Sequence, residues 1–497
     1  MIPLTLSEVA DAVGGTVHGC DGTAVVTGEV EFDSRRVGPG GLFVALPGAR
    51  ADGHGFAAAA LAAGAAGVLA GRRVDVAAVL APSVPAARSA AYALAADTDG
   101  AGAAVLAALA RLARSVVSRL SSGPAGLQVV GLTGSSGKTS TKDMVAALVA
   151  PLGPTVAPPG SFNNELGHPW TALRADLHTR HLVLELSARG IGHVAALCRV
   201  APPSIGVVLN VGSAHLGEFG SRDAVATAKG ELVEALPESG VAILNSDDPV
   251  VDAMDRRTVA RVVRFGRSAA AQVRATDVVL DDQGRPSFRL RTPNGEAEVQ
   301  LAVHGEHQVS NALAAAAVAL ELGATAADIS AVLARYRPVS RWRMEVTHRA
   351  DGVTVINDAY NANPESVSAA LRTLVAMAAD RRRWAVLGPL GELGEAEAAA
   401  HREIGLLAAR LGIDRLVVVG RQAQPMHPAF TDSAARSSAG GAASWSVPVP
   451  DVATALELLR AELEPGDVVL IKASRAYGLE RIAEGLLDTA RRDRGRR

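Results

Sequence analysis

The chain has 497 residues, 48% of them hydrophobic, and a formal net charge of -2, so we expect two to four domains and no nucleic acid as a principal partner. Cys20 and Cys198 lie in no CxxC or CxxH pattern, which argues against a disulfide scaffold and against a structural zinc site. No signal peptide and no apolar run of membrane-spanning length is recognised, which predicts a cytoplasmic protein without stable membrane insertion.

In the first hundred residues, short strand-like runs such as TAVVTGEV and GLFVAL alternate with Ala-rich helical runs. This alternation predicts a small N-terminal α/β domain over residues 1–100. The Gly/Asp-rich segment 97–102 is interpreted as a linker, and an amphipathic helix is predicted over Ala103–Leu120.

Residues 101–337 are predicted to form a central domain around a parallel or mixed sheet. The apolar runs LQVVGLTG, HLVLEL, IGVVLNV and GVAILN are typical of parallel strands that are buried on both faces. The segment 260–303 alternates more strictly and favours antiparallel strands. A third, Rossmann-like domain is predicted over residues 338–497, where VTVIND, RWAVLG, RLVVVG and DVVLIKAS are each followed by a helical pattern.

The segment TGSSGKTS, residues 133–140, lies between an apolar strand and a helical run. Glycines allow backbone N–H groups to surround phosphates there, and the helix N-terminus adds a favourable field. In this interpretation Lys138 lies against the β- and γ-phosphates, and the Thr139 hydroxyl ligates Mg²⁺. The strict phosphate-loop pattern, G-x-x-x-x-G-K-[ST], requires glycine at position 132, where this chain has Leu132. The match is therefore to the shorter T-G-x-x-G-K-T form. The predicted nucleotide-binding residues of the loop are Gly134, Ser135, Ser136, Gly137, Lys138, Thr139 and Ser140.

Three further charged or polar groups follow later elements. Glu185 ends the run HLVLEL, His215 follows IGVVLNV, and Lys229 lies in AKGELV. A strand-end carboxylate and an imidazole suit magnesium-assisted phosphoryl chemistry, in which cations neutralise developing charge. Each residue alone is more often structural or solvated, so the hypothesis depends on their combination. The Asn-Lys-x-Asp element of GTPases does not occur, whereas a non-catalytic nucleotide-binding protein remains an alternative.

The motifs TGSSGKTS, LELSARGIGH, NVGSAHLGEFGS, AKGEL, GEHQVSNALAA, SRWRMEV and INDAYNANPES, in this order, resemble the Mur ligase family of peptidoglycan synthesis. The resemblance covers nearly the whole chain. It implies a UDP-sugar-binding N-terminal domain, a central ATPase domain and a Rossmann-like C-terminal domain in a cytoplasmic monomer. It also implies that the enzyme uses ATP to join D-alanyl-D-alanine to UDP-N-acetylmuramoyl-tripeptide (UDP-MurNAc-tripeptide) through an acyl phosphate. A folylpolyglutamate-synthase-like ligase is an alternative that shares this chemistry.

The same resemblance implies roles for single residues. Lys138, Lys229 and His215 would be catalytic, and Lys229 would be carbamylated. Two Mg²⁺ ions would be held by Thr139, Glu185, His215 and the modified Lys229. The other implied contacts are Asn311, Arg343 and Asp358 to the nucleotide, Ser34 and Arg35 to the UDP-sugar, and Asn163, Asn164 and Glu165 to the substrate.

Three positions depart from the family's pattern. His168 replaces an aliphatic residue after Asn-Asn-Glu, GPLGELGE lacks a methionine before Glu-Leu-Gly, and Ala473 stands where glycine is usual. These positions belong to the region expected to receive the dipeptide. We interpret them as ordinary sequence drift.

Overall fold

The fold was obtained as a computed structural model, which describes residues 1–48, 51–84, 94, 97–212, 216–437 and 444–494. Three large sheets, of five, nine and six strands, follow one another along the chain. Helices pack on these sheets, so the predicted three-domain α/β fold class is confirmed.

The N-terminal sheet has the strand order β2-β7-β6-β5-β4, and β1 pairs with β3 beside it. Strands β4 to β7 are parallel, whereas β2 runs antiparallel to β7. The first helix begins where the Thr5 side chain and Glu8 form a capping box, and it ends at Gly14, whose φ is 68°. The elements are β1 (Leu4–Thr5), α1 (Leu6–Val13), β2 (Thr16–His18), β3 (Val25–Val26), β4 (Val30–Glu31), β5 (Leu42–Ala45), α2 (Ala57–Ala62), β6 (Gly67–Ala70) and β7 (Ala78–Leu80).

Helix α3, Ala101–Ser121, joins this region to the next sheet. It begins inside the segment interpreted as a linker, because the Asp97 carboxylate accepts hydrogen bonds from the N–H groups of Gly102 and Ala103. By length and composition α3 could cross a membrane, but 61% of its apolar window is buried. Its apolar side chains belong to a core shared with α1 and the central region, which is the packing of a core helix.

The central sheet has the order β16-β15-β14-β13-β12-β11-β8-β10-β9. Its elements are β8 (Gln128–Thr133), α4 (Lys138–Val149), β9 (Thr155–Val156), α5 (Gly167–Ala172), β10 (His181–Glu185), α6 (His193–Val200), β11 (Ile205–Val208), α7 (Leu216–Phe219), α8 (Arg222–Glu234), β12 (Val241–Asn245), α9 (Pro249–Asp252), β13 (Arg261–Gly266), β14 (Val273–Leu280), β15 (Pro286–Thr292), β16 (Gly295–Gln300), α10 (His307–Glu321) and α11 (Ala326–Leu333). Strands β8 to β13 are parallel to their neighbours, and their carboxyl ends share one edge.

The prediction of antiparallel strands over 260–303 is right for β14 to β16 and wrong for β13. Strand β13 runs parallel to both β12 and β14. Its alternation has another cause: Arg261 pairs with Glu321, and Arg264 pairs with Asp252 and Asp255. Alternation therefore reports one polar face and does not report strand direction.

The C-terminal sheet has the order β17-β18-β22-β19-β20-β21. Among its described strands only β17, at one edge, is antiparallel to its neighbour, so the arrangement is the expected Rossmann-like one. The elements are β17 (Glu345–His348), β18 (Thr354–Asn357), α12 (Pro364–Ala378), β19 (Arg383–Leu387), α13 (Glu397–Arg410), β20 (Arg415–Val419), α14 (Met426–Ser437), β21 (Trp445–Val449), α15 (Val452–Glu462), β22 (Val468–Lys472) and α16 (Glu480–Arg494).

Candidate active site

A cavity of about 380 Å³ lies where the carboxyl ends of central strands meet the carboxyl ends of β18 and β22. The phosphate loop, the Asn-Asn-Glu element and residues from the C-terminal sheet all line it. Pockets at the carboxyl ends of parallel strands are the usual ligand sites of such sheets. The sequence-predicted residues that line it are Ser135, Ser136, Gly137, Lys138, Thr139, Ser140, Asn163, Asn164, Glu165, Glu185, Asn311, Arg343 and Asp358.

The phosphate loop connects β8 to α4, as the sequence predicted. Gly137 has a φ of 81° and lies so close to Asn311 that a Cβ there would be 2.5 Å from its Oδ1 atom, so this position requires glycine. The Lys138 ammonium donates to the Gly134 carbonyl at 2.6 Å. Leu132, at the position where the strict pattern requires glycine, is a fully buried residue of β8, so its side chain contributes to the core and not to the loop.

Glu185 is the centre of a buried polar group next to this loop. Its carboxylate accepts from the Thr139 hydroxyl at 2.9 Å and from the Asn163 amide at 2.7 Å. The Arg343 guanidinium donates to the same Thr139 hydroxyl at 2.8 Å. Carboxylate and hydroxyl oxygens are hard ligands of the kind that Mg²⁺ prefers, so these residues fit a magnesium site. His215, predicted to complete it, lies outside the described residues.

Lys229 lies on α8 with only 2% of its surface exposed. Among the described residues it makes no hydrogen bond and no ion pair. Burial and the nearby Lys138 ammonium together hold the pKa of Lys229 well below its usual range. A buried lysine of this kind favours its neutral amine form, which is the nucleophilic form that reacts with carbon dioxide.

The C-terminal sheet contributes an ion pair to the opposite wall of the cavity. The Lys472 ammonium, at the end of β22, lies 2.6 Å from the Asp358 carboxylate and also donates to the Asn361 carbonyl at 2.8 Å. Asp358 in turn accepts from the Met344 backbone N–H at 3.1 Å. The Arg343 guanidinium lies 4.1 Å from the centre of the Tyr360 ring, a cation–π distance. Arg343 therefore contacts both halves of the cavity.

The predicted substrate residues divide into two groups. Asn164 accepts from the Gly167 N–H at the start of α5, and Glu165 lies 3.8 Å from His193 on α6, so both are fixed at the cavity wall. Ser34 and Arg35 are not among the residues that line the cavity. Arg35 is exposed and pairs with Asp33. A substrate that reached both groups would have to be long.

Lys472, Tyr360 and His307 also line the cavity, and Lys142 lies behind it, although none of the four was predicted. A signal for the lysines was available. The chain has 49 lysines and arginines together, of which only four are lysines: Lys138, Lys142, Lys229 and Lys472. Lysine and arginine are not interchangeable where a compact ammonium is required, so rare lysines mark candidate functional positions.

His168 is one of the departures from the family's pattern, and it is fully buried on α5 behind the Asn-Asn-Glu element. Neither ring nitrogen makes a hydrogen bond within the described part of the protein. Burial lowers the pKa of His168 to about 4. The imidazole is therefore neutral at neutral pH, so no charge is buried at this position, which is usually aliphatic in the family.

Replacing His168 with leucine is expected to reduce the loss of unfolding free energy that accompanies acidification. The unfolded chain binds a proton on this side chain below about pH 6.5, whereas the folded chain does so only below about pH 4. Acidification through this window therefore favours unfolding, by about 2 kcal/mol at pH 5. Urea unfolding at pH 8 and pH 5 measures the loss, which should be smaller by this amount in His168→Leu. Replacement of the exposed His178 is the control, and an equal loss in both variants would contradict the expectation.

Comparison with known proteins agrees with this architecture. Three family models match the chain. The model described as "Mur ligase family, catalytic domain" matches residues 28–115. The model "Mur ligase middle domain" matches 132–319, and "Mur ligase, glutamate ligase domain" matches 342–475. The UDP-N-acetylmuramoyl-tripeptide–D-alanyl-D-alanine ligase of Mycobacterium tuberculosis is 56% identical, and the alignment covers 98% of each chain. The ligase of the same name from Escherichia coli is 36% identical over 98% of this chain and 99% of the relative.

Solved structures lead to the same family. A crystal structure of MurF from Acinetobacter baumannii has a TM-score of 0.81 and 29% identity and covers 98% of this chain and 99% of that one. MurF ligase from Thermotoga maritima, in complex with ADP, has a TM-score of 0.76 and 28% identity and covers 94% and 99%. With three matching family models, full-length relatives and a shared fold, this chain belongs to the Mur ligase family.

Proposed function

We propose that this protein is an ATP-dependent ligase that joins D-alanyl-D-alanine to the terminal carboxylate of UDP-MurNAc-tripeptide in peptidoglycan precursor synthesis. The observation that carries the proposal is the shared cavity. In it the phosphate loop, the Glu185 carboxylate and the Asn-Asn-Glu element face the Asp358–Lys472 pair. The full-length relatives that carry this activity in their names support the choice of substrates.

The reaction proceeds in two transfers. A carboxylate oxygen of the peptide attacks the γ-phosphorus of ATP, the bond to the β-phosphate oxygen breaks, and ADP and an acyl phosphate form. The free amine of D-alanyl-D-alanine then attacks the acyl carbon, loses a proton, and phosphate leaves as the amide forms. The first step brings two anions together, which Lys138 opposes by placing its ammonium in the loop.

The neighbouring residues orient the reactants and hold the cofactor. Thr139, Glu185, His215 and a carbamylated Lys229 would hold two Mg²⁺ ions, which neutralise phosphate charge when bound. Arg343 and Asp358 would contact the nucleotide from the C-terminal side, with Asn311 at the adenine. The Asn163–Glu185 hydrogen bond would link the peptide-binding element to the phosphate site and so align the carboxylate with the γ-phosphate.

The remaining parts of the proposal concern the whole molecule. Residues 1–100, with Ser34 and Arg35, would bind the UDP-sugar, 101–337 would bind ATP, and 338–497 would bind the incoming dipeptide. The position of Ser34 and Arg35 away from the cavity suits the length of a UDP-sugar peptide. We further propose that the enzyme acts as a cytoplasmic monomer.

The test is an assay with purified protein, ATP, Mg²⁺, UDP-MurNAc-tripeptide and D-alanyl-D-alanine. Phosphate release is expected only when both co-substrates are present, and mass spectrometry should identify the UDP-MurNAc-pentapeptide. Omission of each substrate in turn is the control. Release that depends on a folate and glutamate would instead support a folylpolyglutamate-synthase-like enzyme. ATP binding without any turnover would support a non-catalytic protein.

A further inference from the structure

Lys142 and Asp143 form a buried ion pair on α4, one turn beyond Lys138 and Thr139. Their exposed fractions are 1% and 6%. The Lys142 ammonium contacts one oxygen of the Asp143 carboxylate and donates to the Pro158 carbonyl at 2.7 Å. A buried ion pair can often be replaced by apolar residues without loss of stability, so stability alone does not account for this pair.

The second oxygen of Asp143 binds the segment that connects the central sheet to the C-terminal one. It accepts a hydrogen bond from the Ser340 backbone N–H at 3.2 Å. We call residues 338–344 the connector. Within the connector Trp342 and Met344 have φ values of 59° and 51°, a conformation that side-chain-bearing residues rarely adopt unless surrounding contacts hold it.

The connector carries Arg343 between its two strained residues. Its position is fixed at both ends: Asp143 binds Ser340 on one side of Arg343, and Asp358 binds the Met344 N–H on the other. Between these anchors the Arg343 guanidinium reaches the Thr139 hydroxyl. The α4 helix therefore presents Thr139 to the cavity and Asp143 to the connector from a single rigid element.

A small polar void lies between Arg343 and the hydrogen-bonded residues Asp143 and Ser340. Its volume is about 10 Å³, and Asp143, Ser340 and Arg343 are among the residues that line it. The Ser340 hydroxyl and the Arg343 Nε are buried and make no hydrogen bond within the described residues. A void of this size with several polar neighbours suits one water molecule, which would connect the three groups.

The rarity of lysine adds a separate argument. Lys138 and Lys472 line the cavity, and Lys229 is a predicted catalytic residue. Lys142 is the fourth of the chain's lysines and has no contact with the cavity. A compact ammonium, unlike a planar guanidinium, can bind both a carboxylate and the Pro158 carbonyl in this buried space.

We propose that Asp143, held in place by Lys142, is a positioning residue that anchors the connector so that Arg343 reaches Thr139 at the phosphate site. The proposal rests on the proposed function for its catalytic readout. In this proposal α4 has two roles. Its first turn binds the nucleotide phosphates, and its second turn fixes the position of Arg343, which extends from the connector to Thr139.

The experiment compares two double variants of the full-length protein that both lack buried charge. Lys142→Met/Asp143→Asn keeps an acceptor oxygen for the Ser340 N–H, and Lys142→Met/Asp143→Leu removes it. The leucine variant is expected to lose ~10- to 100-fold in kcat, the range typical of lost supporting contacts, while the asparagine variant recovers most of the activity. Arg335→Ala, which removes an exposed cation just before the connector, should retain wild-type rates.

A second comparison separates positioning from a general structural effect. In an Arg343→Ala background the difference between the two double variants should disappear, because the anchor acts through Arg343. Equal activities in the first comparison, or an undiminished difference in the Arg343→Ala background, would overturn the proposal. ADP affinity, measured by calorimetry in the same variants, makes the comparison without ligation: the leucine double variant should bind ADP more weakly than the asparagine double variant. Failure of the proposed function would appear in the parent protein, and failure of this inference only in the variants.

Discussion

The Lys138→Ala variant is expected to lose ligation and ATP turnover by ~10²- to 10³-fold or more, the scale observed when one charge-stabilising donor is removed from an active site. Lys138 is a half-buried cation on the phosphate loop, where its ammonium donates to the Gly134 carbonyl at 2.6 Å. When ATP binds, the same ammonium can turn toward the β- and γ-phosphates and offset the charge that develops during transfer.

The partial burial of Lys138 increases the effect. Burial lowers the pKa of Lys138, while the nearby Glu185 carboxylate raises it, so an anionic ligand would further favour the charged form. The electrostatic attraction between the Lys138 ammonium and an anionic ligand is strengthened where water is partly excluded. Loss of the ammonium therefore removes an interaction that solvent cannot replace.

The measurement is phosphate release with all substrates present, together with ADP binding. Lys138→Arg keeps the charge but is expected to remain impaired, because the planar guanidinium does not fit a loop shaped for a compact ammonium. Arg114→Ala removes an exposed cation from α3, outside the cavity, and should behave as the wild type does. Wild-type ligation by Lys138→Ala would show that the phosphate site is assigned wrongly.

The positions of the candidate phosphate-site residues in the fold could be predicted from the sequence, because the parts of this site are local or follow from a simple rule. The loop is a contiguous motif between a strand and a helix. Glu185 lies 46 residues from Thr139, but β8 and β10 are parallel neighbours in register, with Glu185 paired to Leu132. Residues at the carboxyl ends of adjacent parallel strands necessarily lie close together, so their contact could be expected from the strand predictions.

Contacts without a local signature were not predictable in this way. The Asp143–Ser340 hydrogen bond joins residues 197 positions apart, and nothing in either segment indicates the other. Asn210 binds the N–H groups of Ser135 and Ser136, again through tertiary structure alone. Polar side chains are usually solvent-exposed, so a buried one cannot be recognised from its residue type. The direction of β13 was predicted wrongly for a related reason, because alternation indicates which face of a strand is buried and not whether the strand is parallel to its neighbours.

The distribution of charge in the cavity follows the same logic. Four cations line the cavity, Lys138, Arg189, Arg343 and Lys472, together with four carboxylates, Glu165, Glu185, Asp358 and Glu365. The cations can meet the phosphates of ATP and a peptide carboxylate, and the carboxylates suit cations such as Mg²⁺. A global net charge of -2 gives no indication of this arrangement, because tertiary structure alone brings the separate segments together.

The Lys229→Ala variant is expected to lose ligation activity by ~100-fold or more, since loss of even a supporting group at a metal site costs up to that much. An unmodified Lys229 has no described partner for its charge and is repelled by Lys138. Reaction of its neutral amine with carbon dioxide would convert this position into an anion. The product would attract Lys138 and supply oxygen ligands for Mg²⁺.

Chemical rescue distinguishes this role from a packing role. Formate or acetate should restore part of the activity of Lys229→Ala, because a small carboxylate can occupy the space left by the side chain. Lys229→Met fills that space with an uncharged stem and should not be rescued, and Lys138→Ala should not respond either. Carbon-13 NMR with labelled bicarbonate should show a carbamate resonance in the wild type that is lost in both Lys229 variants. If neither acid restores activity and no carbamate resonance appears, Lys229 acts as an unmodified amine, and the anionic ligand of the second magnesium must come from another residue.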